Sequence, residues 1–293
     1  MNSPLPDKMI VIAGVQKAGT SLLFKLLSRH PRIRGCRFKE PHFFAMHQRT
    51  VDEHLDWYAD LYETDPSSAP TNVGLEASTS YFLSERAIDR LDRVAHDLRV
   101  VVVTRDPAAR FFSGFLQNTK HVPPREYRSI GEVLDALERA FEERESLADA
   151  EQLAIDRAID RGEVDPRGLS VDKLARIYDP PFDPELEDPL FAYRYLEQSC
   201  YEPHARRLRA TLGDRLLVCR FEDLIASADD VIASVLEFAG LDTLELTESG
   251  KLPRENATRM PRGGVGRLLI EARRKLPGAD TLVSVLGKLG VRQ

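Results

Sequence analysis

The sequence predicts an α/β fold: a P-loop-like central parallel β-sheet flanked by helices, with a helical insertion. Three observations carry that prediction. Short apolar runs alternate with helical patterns along the chain, the signature of a parallel sheet covered on both faces. The run LRVVVVT, Leu98–Thr104, is continuously β-branched, as a strand buried on both sides requires. The first apolar run, Met9–Ala13, leads straight into the glycine-bounded stretch GVQKAGTSL, Gly14–Leu22, which reads as a strand–turn–helix junction. With no repeat and no linker-like stretch in its 293 residues, the chain reads as one domain over 1–293.

Each element follows from its local pattern. Met9–Ala13 is the expected first strand. In Ser21–Arg29, Leu22, Leu23, Leu26 and Leu27 recur at helical spacing until His30-Pro31 stops the helix. Ile33–Arg37 is a short second strand, Asp52–Tyr62 a helix and Asp65–Pro70 a turn-rich loop. Val73–Ala77 reads as a strand and Ser84–His96 as a helix. After Leu98–Thr104, Pro107 sits where a helix start tolerates it, and that helix should run to about Lys120. A helical insertion is expected over about 121–190. Within it, Gly131–Asp165 carries twelve acidic against four basic residues, with intermittent helical spacing at Leu134, Leu137 and Phe141, which predicts a solvated helical segment. Asp179–Pro189 reads as a loop, Phe191–Thr211 as one long helix, Arg215–Arg220 as the last core strand and Asp229–Phe238 as a helix.

Composition narrows the function classes. The 42% apolar and 30% charged residues are ordinary for a globular chain with a sizeable core. A net charge of −6 excludes a broadly basic nucleic-acid binder but leaves room for a local basic pocket. Cys36, Cys200 and Cys219 match neither a zinc site nor a disulfide framework, and neither a signal peptide nor a transmembrane run appears, so a cytoplasmic, metal-independent protein is expected.

Two stretches could hold an anion. A glycine-flanked turn entering a helix aims backbone N–H groups and the positive helix end at a bound anion. Thr20 and Ser21 add hydroxyl donors, and Lys17 can reach over the bound group from the side. A nucleoside-triphosphate loop places lysine directly after its second glycine; here Thr20 takes that place after Gly19, and the lysine is Lys17, inside the loop. The second stretch is VVVTRDPAARFFSGF. Arg105 follows a buried strand, where open α/β sheets bind ligands, and Ser113 lies about two turns into the next helix, so that a guanidinium fork and a hydroxyl form a plausible phosphate clamp. Alternatively, Asp106 caps the helix and Ser113 is merely packed.

Together these residues resemble the sulfotransferases that use 3′-phosphoadenosine 5′-phosphosulfate (PAPS). The resemblance rests on Lys17-Ala18-Gly19-Thr20-Ser21, on Arg105-Asp106-Pro107 with Arg110 and Ser113, and more weakly on RLLVCRFEDL, Arg215–Leu224. It implies PAPS as sulfuryl donor, with the first loop on the 5′-phosphosulfate and Arg105 and Ser113 on the 3′-phosphate. A lysine beside the bridging oxygen would offset charge developing on the leaving group. That suits Lys17 better than metal-assisted hydrolysis of a nucleoside triphosphate, where the lysine serves β- and γ-phosphates.

FKEPHFF, Phe38–Phe44, is similar to a stretch of the glycan-modifying sulfotransferases whose glutamate is the general base. That implies Glu40 as base, with His42 as its rival; otherwise Lys39 and Glu40 are a surface pair, with Phe43 and Phe44 filling core. GLEASTSYF, Gly74–Phe82, matches the same branch at Glu76 and Tyr81, implied to contact the acceptor, with Glu76 alternatively orienting Lys17. It departs at Ala77, where the branch has a catalytic lysine, and at Thr79, where it has proline. Lys251–Lys275 holds eight basic and two acidic residues. By resemblance, Asn256, Arg259 and Arg262 there would close over the donor phosphates, while a peripheral membrane-surface role for the basic segment 251–293 is the rival. The expected acceptor is a small-molecule, lipid or saccharide hydroxyl, with an amine as a lesser option. A P-loop kinase or NTPase, or a non-catalytic nucleotide-binding module, is the alternative function.

Overall fold

The computed structural model describes residues 5–62, 73–118, 130–144, 146–168 and 185–243. Five parallel strands form one sheet in the order β2-β3-β1-β4-β5: β1 Lys8–Gly14, β2 Ile33–Gly35, β3 Val73–Ala77, β4 Asp97–Thr104 and β5 Leu216–Arg220. β1 lies at the centre, with Ile10 opposite Leu75 of β3 and Val11 opposite Val100 of β4; Val102 of β4 pairs with Val218 of β5. Val100 to Val103 are fully buried, which accounts for the unbroken β-branched run. The strand order dictates where a ligand fits. The chain leaves β1 toward β2 on one side and leaves β4 toward β5 on the other, so a crevice opens at the carboxyl ends of these two neighbours.

Helix α1, Thr20–Leu27, buries Leu22, Leu23, Leu26 and Leu27 and packs on β1 and β3. The expected helix over Asp52–Tyr62 is two short ones, α2 Gln48–Glu53 and α3 Leu55–Asp60, because His54 leaves helical geometry at φ −129°. α4 covers Ala87–Val94 and α5 Pro107–Asn118. The last elements are α8 Tyr201–Leu212, α9 Phe221–Ala226 and α10 Ala228–Phe238, the last packed on α1 and β5.

Two further expectations are corrected. The acidic segment is not simply solvated. Its helices, α6 Ile130–Glu143 and α7 Leu147–Asp160, pack on one another and bury Val133, Leu137, Ala140, Ala154 and Ile155 in a second core with Phe111 and Phe115 of α5. Their acidic residues mostly occupy the outer faces, with one exception. Glu151 is buried, accepts the backbone N–H groups of Leu196 and Glu197 at 2.7 and 2.8 Å, and is pushed up to about 7 by desolvation.

The expected helix over Phe191–Thr211 is likewise interrupted: two 3-10 turns, Phe191–Tyr193 and Glu197–Ser199, precede α8. Pro203 explains the break. Its ring has no N–H and would clash with the carbonyl of residue 199 in a continuous helix, so it is tolerated only in the first turn of α8. The expected loop at Asp65–Pro70 lies outside the described residues, and that at Asp179–Pro189 mostly so.

Candidate active site

The loop between β1 and α1 is shaped by two left-handed residues, Lys17 at φ 70° and Gly19 at φ 86°. Alternation of backbone hand turns successive N–H groups toward one side, the geometry of an anion nest. Gly19 is required twice over. Its φ disfavours a side chain, and a Cβ there would lie 2.8 Å from the Phe221 ring of α9. No side chain caps α1, so its positive end is left to the loop itself. Ala18 and Thr20 are buried beneath the turn, while Ser21 is half-buried.

The β4–α5 junction meets this loop directly. Arg105 donates from Nη1 to the carbonyl oxygen of Lys17 at 2.9 Å, and its guanidinium lies over the Phe221 ring at 4.6 Å. Tyr201 holds the Arg105 carbonyl through its hydroxyl at 2.7 Å. Lys17 Nζ donates to Gln117 Oε1 of α5 at 3.3 Å. Ser113 precedes Gln117 by four residues, so both lie on the helix face turned to the loop. Asp106 caps α5, accepting the Ala109 N–H at 2.7 Å, as the capping alternative anticipates.

Arg110 does not join this cluster. It is fully buried on another face of α5, donating to Ser199 Oγ at 2.7 Å, Gln198 Oε1 at 3.3 Å and the Tyr195 carbonyl at 2.6 Å. Desolvation lowers its pKa to about 10, still well above neutrality. It ties α5 to the second core and is not a phosphate ligand.

On the β2 side, FKEPHFF carries a second backbone turn, with Glu40 at φ 60° and His42 at φ 58°. Glu40 is half-buried. Its N–H donates to the Ala77 carbonyl at 2.9 Å, and its carboxylate pairs with Lys39 at 3.0 Å and accepts Thr79 Oγ1 at 3.2 Å. His42 is buried instead: its Nδ1 is 2.7 Å from Ser80 Oγ, its N–H donates to Ser78 Oγ at 2.9 Å, and its ring leans on Phe191. The two rival bases thus occupy different environments.

Glu76 and Tyr81, expected to contact the acceptor, are both fully buried. Tyr58 of α3 donates its hydroxyl to Glu76 Oε2, while Tyr81 Oη accepts the Phe44 N–H at 3.2 Å. Burial raises the Glu76 carboxyl above the ordinary glutamate value. Among the described residues Glu76 faces Ser78, Tyr58 and Tyr81 rather than an ion-pair partner. Trp57 and Tyr58 are likewise core, Tyr58 stacking on Phe43 at 4.8 Å and Trp57 on the same ring at 6.3 Å. Asn256, Arg259 and Arg262, with the basic segment 251–293, lie outside the described residues.

Three residues at the site were not singled out from sequence: Gln117, Tyr201 and Phe221. Gln117 carried a signal in its position four residues after Ser113 on one helix, and Phe221 lay within the resembling stretch RLLVCRFEDL. Among the described residues no three His, Cys, Asp or Glu side chains converge as a metal site, and no helix is long and apolar enough to cross a membrane.

A parallel sheet of this order, with a glycine-bounded lysine loop after its first strand and an arginine after the adjacent fourth, defines a P-loop-like nucleotide-binding protein. The model of the sulfotransferase domain family matches residues 7–252, so the chain belongs to that family. It is 35% identical over 119 residues to human heparan sulfate glucosamine 3-O-sulfotransferase 3B1, a match spanning 41% of this chain and 28% of that one. Human bifunctional heparan sulfate N-deacetylase/N-sulfotransferase 3 is 32% identical over 146 residues, 48% of this chain and 16% of that one. The chain therefore spans only a minor part of these curated relatives. A solved sulfotransferase structure from Alicyclobacillus acidocaldarius shares the fold at a TM-score of 0.53, with 21% identity and 96% of each chain covered.

Proposed function

We propose that this protein is a sulfotransferase enzyme that moves a sulfuryl group from PAPS to an acceptor hydroxyl by in-line displacement. The observation that supports it most is the hydrogen bond from Arg105 to the Lys17 carbonyl, because it joins two separately recognised phosphate motifs at the carboxyl ends of adjacent strands. The donor set suits a doubly phosphorylated nucleotide: a lysine and an arginine, the hydroxyls of Thr20, Ser21 and Ser113, and a turn that Gly19 leaves open to close backbone approach. When bound, PAPS supplies an electrophilic sulfur and a phosphate leaving group. Lys17 and the α1 amino end would hold its 5′ arm, with Arg105 and Ser113 on its 3′-phosphate.

Glu40 takes the acceptor proton. Its carboxylate is partly exposed and held by Lys39 and Thr79, whereas His42 is buried and already engaged through Nδ1. As the acceptor O–S bond forms and the S–O bond to the 5′-phosphate breaks, the proton passes to Glu40 and the Lys17 ammonium offsets charge gathering on the departing oxygen. The names of the heparan sulfate relatives favour a saccharide hydroxyl; small-molecule and lipid hydroxyls are the other arms of an acceptor screen with labelled PAPS. The free thiols Cys36, Cys200 and Cys219 support a reducing, cytoplasmic setting.

Calorimetry with adenosine 3′,5′-bisphosphate tests the donor assignment: binding without magnesium is expected. Tight magnesium–ATP binding with no affinity for the bisphosphate would overturn it in favour of a kinase.

A further inference from the structure

Glu40 and His42 both hold left-handed backbone conformations that non-glycine residues rarely adopt, so something outside the segment must hold them there. Ser78 and Tyr81 supply two hydrogen bonds, to the N–H groups of His42 and Phe44. The larger support is aromatic. Phe43 stacks on Tyr58 at 4.8 Å and 17°, and Phe44 meets the same ring edge-on at 4.9 Å. Tyr58 is the platform under the turn, and its own position is fixed at the hydroxyl, which donates to Glu76 and lies 2.8 Å from the Tyr62 hydroxyl. Glu76 sits on β3, opposite Val11 of the central strand.

We infer that Glu76 is a positioning residue for the reaction: through Tyr58 it anchors the Phe43–Phe44 platform that keeps the Glu40 carboxylate aimed at the acceptor. The inference rests on Glu40 as base and deepens that assignment. Other features agree with it. Glu76 is fully buried, and burial raises its carboxyl above the ordinary glutamate value. Tyr58 donates to its Oε2, with the Ser78 and Tyr81 hydroxyls as its other hydrogen-bonding neighbours. A carboxyl oxygen accepts in either protonation state, and the amide oxygen of glutamine does the same. What matters is the acceptor atom rather than the charge.

The test uses Tyr58→Phe, Glu76→Gln and Glu40→Gln in the full chain, with labelled PAPS turnover, bisphosphate affinity and amide hydrogen exchange measured on each. Tyr58→Phe keeps the ring and deletes the donor. It should lower kcat about tenfold, leave bisphosphate affinity within twofold and speed exchange over residues 39–44 while β1 and α1 stay protected. Glu76→Gln should retain the bond and keep kcat within about threefold of wild type. The inference is overturned if Tyr58→Phe leaves both kcat and exchange over 39–44 unchanged, or if it lowers affinity, thermal stability and kcat together. It is also overturned if Glu76→Gln loses as much turnover as Glu40→Gln, since that would make the carboxylate itself chemical. Full activity in Glu40→Gln would instead refute Glu40 as base, and the exchange readout would still report on the anchor.

Discussion

Two turns face the crevice above the sheet, and they are held in opposite ways. The β1–α1 turn reaches its left-handed positions at Lys17 and Gly19; Gly19 carries no side-chain penalty, and at Lys17 the Arg105 guanidinium holds the carbonyl. Its backbone is the binding surface, and glycine removes the obstacle. The turn after β2 reaches the same region of backbone space at Glu40 and His42, where each costs on the order of 1 kcal/mol or more, and buried hydroxyls and rings from β3 and α3 hold it. A surface that presents N–H groups can be built from what glycine leaves out. One that presents a single carboxylate at a fixed angle needs scaffolding.

The largest test of that contrast sets Glu40→Gln beside Lys17→Met. Each should lower kcat, Glu40→Gln by about 10²–10⁴-fold through loss of the base and Lys17→Met by about 10²–10³-fold through loss of charge stabilisation. Only Lys17→Met should also weaken the bisphosphate in calorimetry. Next comes Gly19→Ala, which strains the backbone and drives a methyl into Phe221. A stability loss of about 1–3 kcal/mol is expected by denaturant titration, with bisphosphate affinity falling alongside. His42→Asn should be milder, less than about tenfold in kcat, since asparagine tolerates the left-handed position; a loss equal to that of Glu40→Gln would move the base to His42.

The smallest effect is a pH slope. With its folded pKa raised, Glu76 holds its proton longer in the folded than in the unfolded chain. Its contribution to stability is therefore full at acid pH and declines as pH rises above about 4.5 toward the raised folded value. Glu76→Gln should gain stability relative to wild type as pH climbs through that range, read by denaturation at several pH values.

How much of this was legible in sequence follows the same division. Met9–Ala13, the Lys17 turn, LRVVVVT and Arg105 signal locally, through glycine spacing and uninterrupted β-branching, and all lie in the expected elements. Glu40 was legible only by resemblance, because its supports lie on β3 and α3, far along the chain. Arg110 shows the limit. It stands five residues after Arg105 in the same motif, yet its partners Gln198 and Ser199 come from a 3-10 turn and Tyr195 from the residues just before it, a stretch that periodicity read as helix. Nothing local distinguishes a buried tie from a ligand when the partners are more than eighty residues away. The second core was hidden for a related reason: the abundant charge of α6 and α7 masks an inner face that only tertiary pairing exposes.

Because the guanidinium at the end of β4 grips the main chain at Lys17, whatever draws that arginine also tugs the turn bearing the Lys17 ammonium. Under the proposed function, that contact would link recognition of the nucleotide by Arg105 to leaving-group assistance by Lys17. A donor stripped of its 3′-phosphate should be penalised in speed as well as in capture, making the enzyme selective through tempo and grip together.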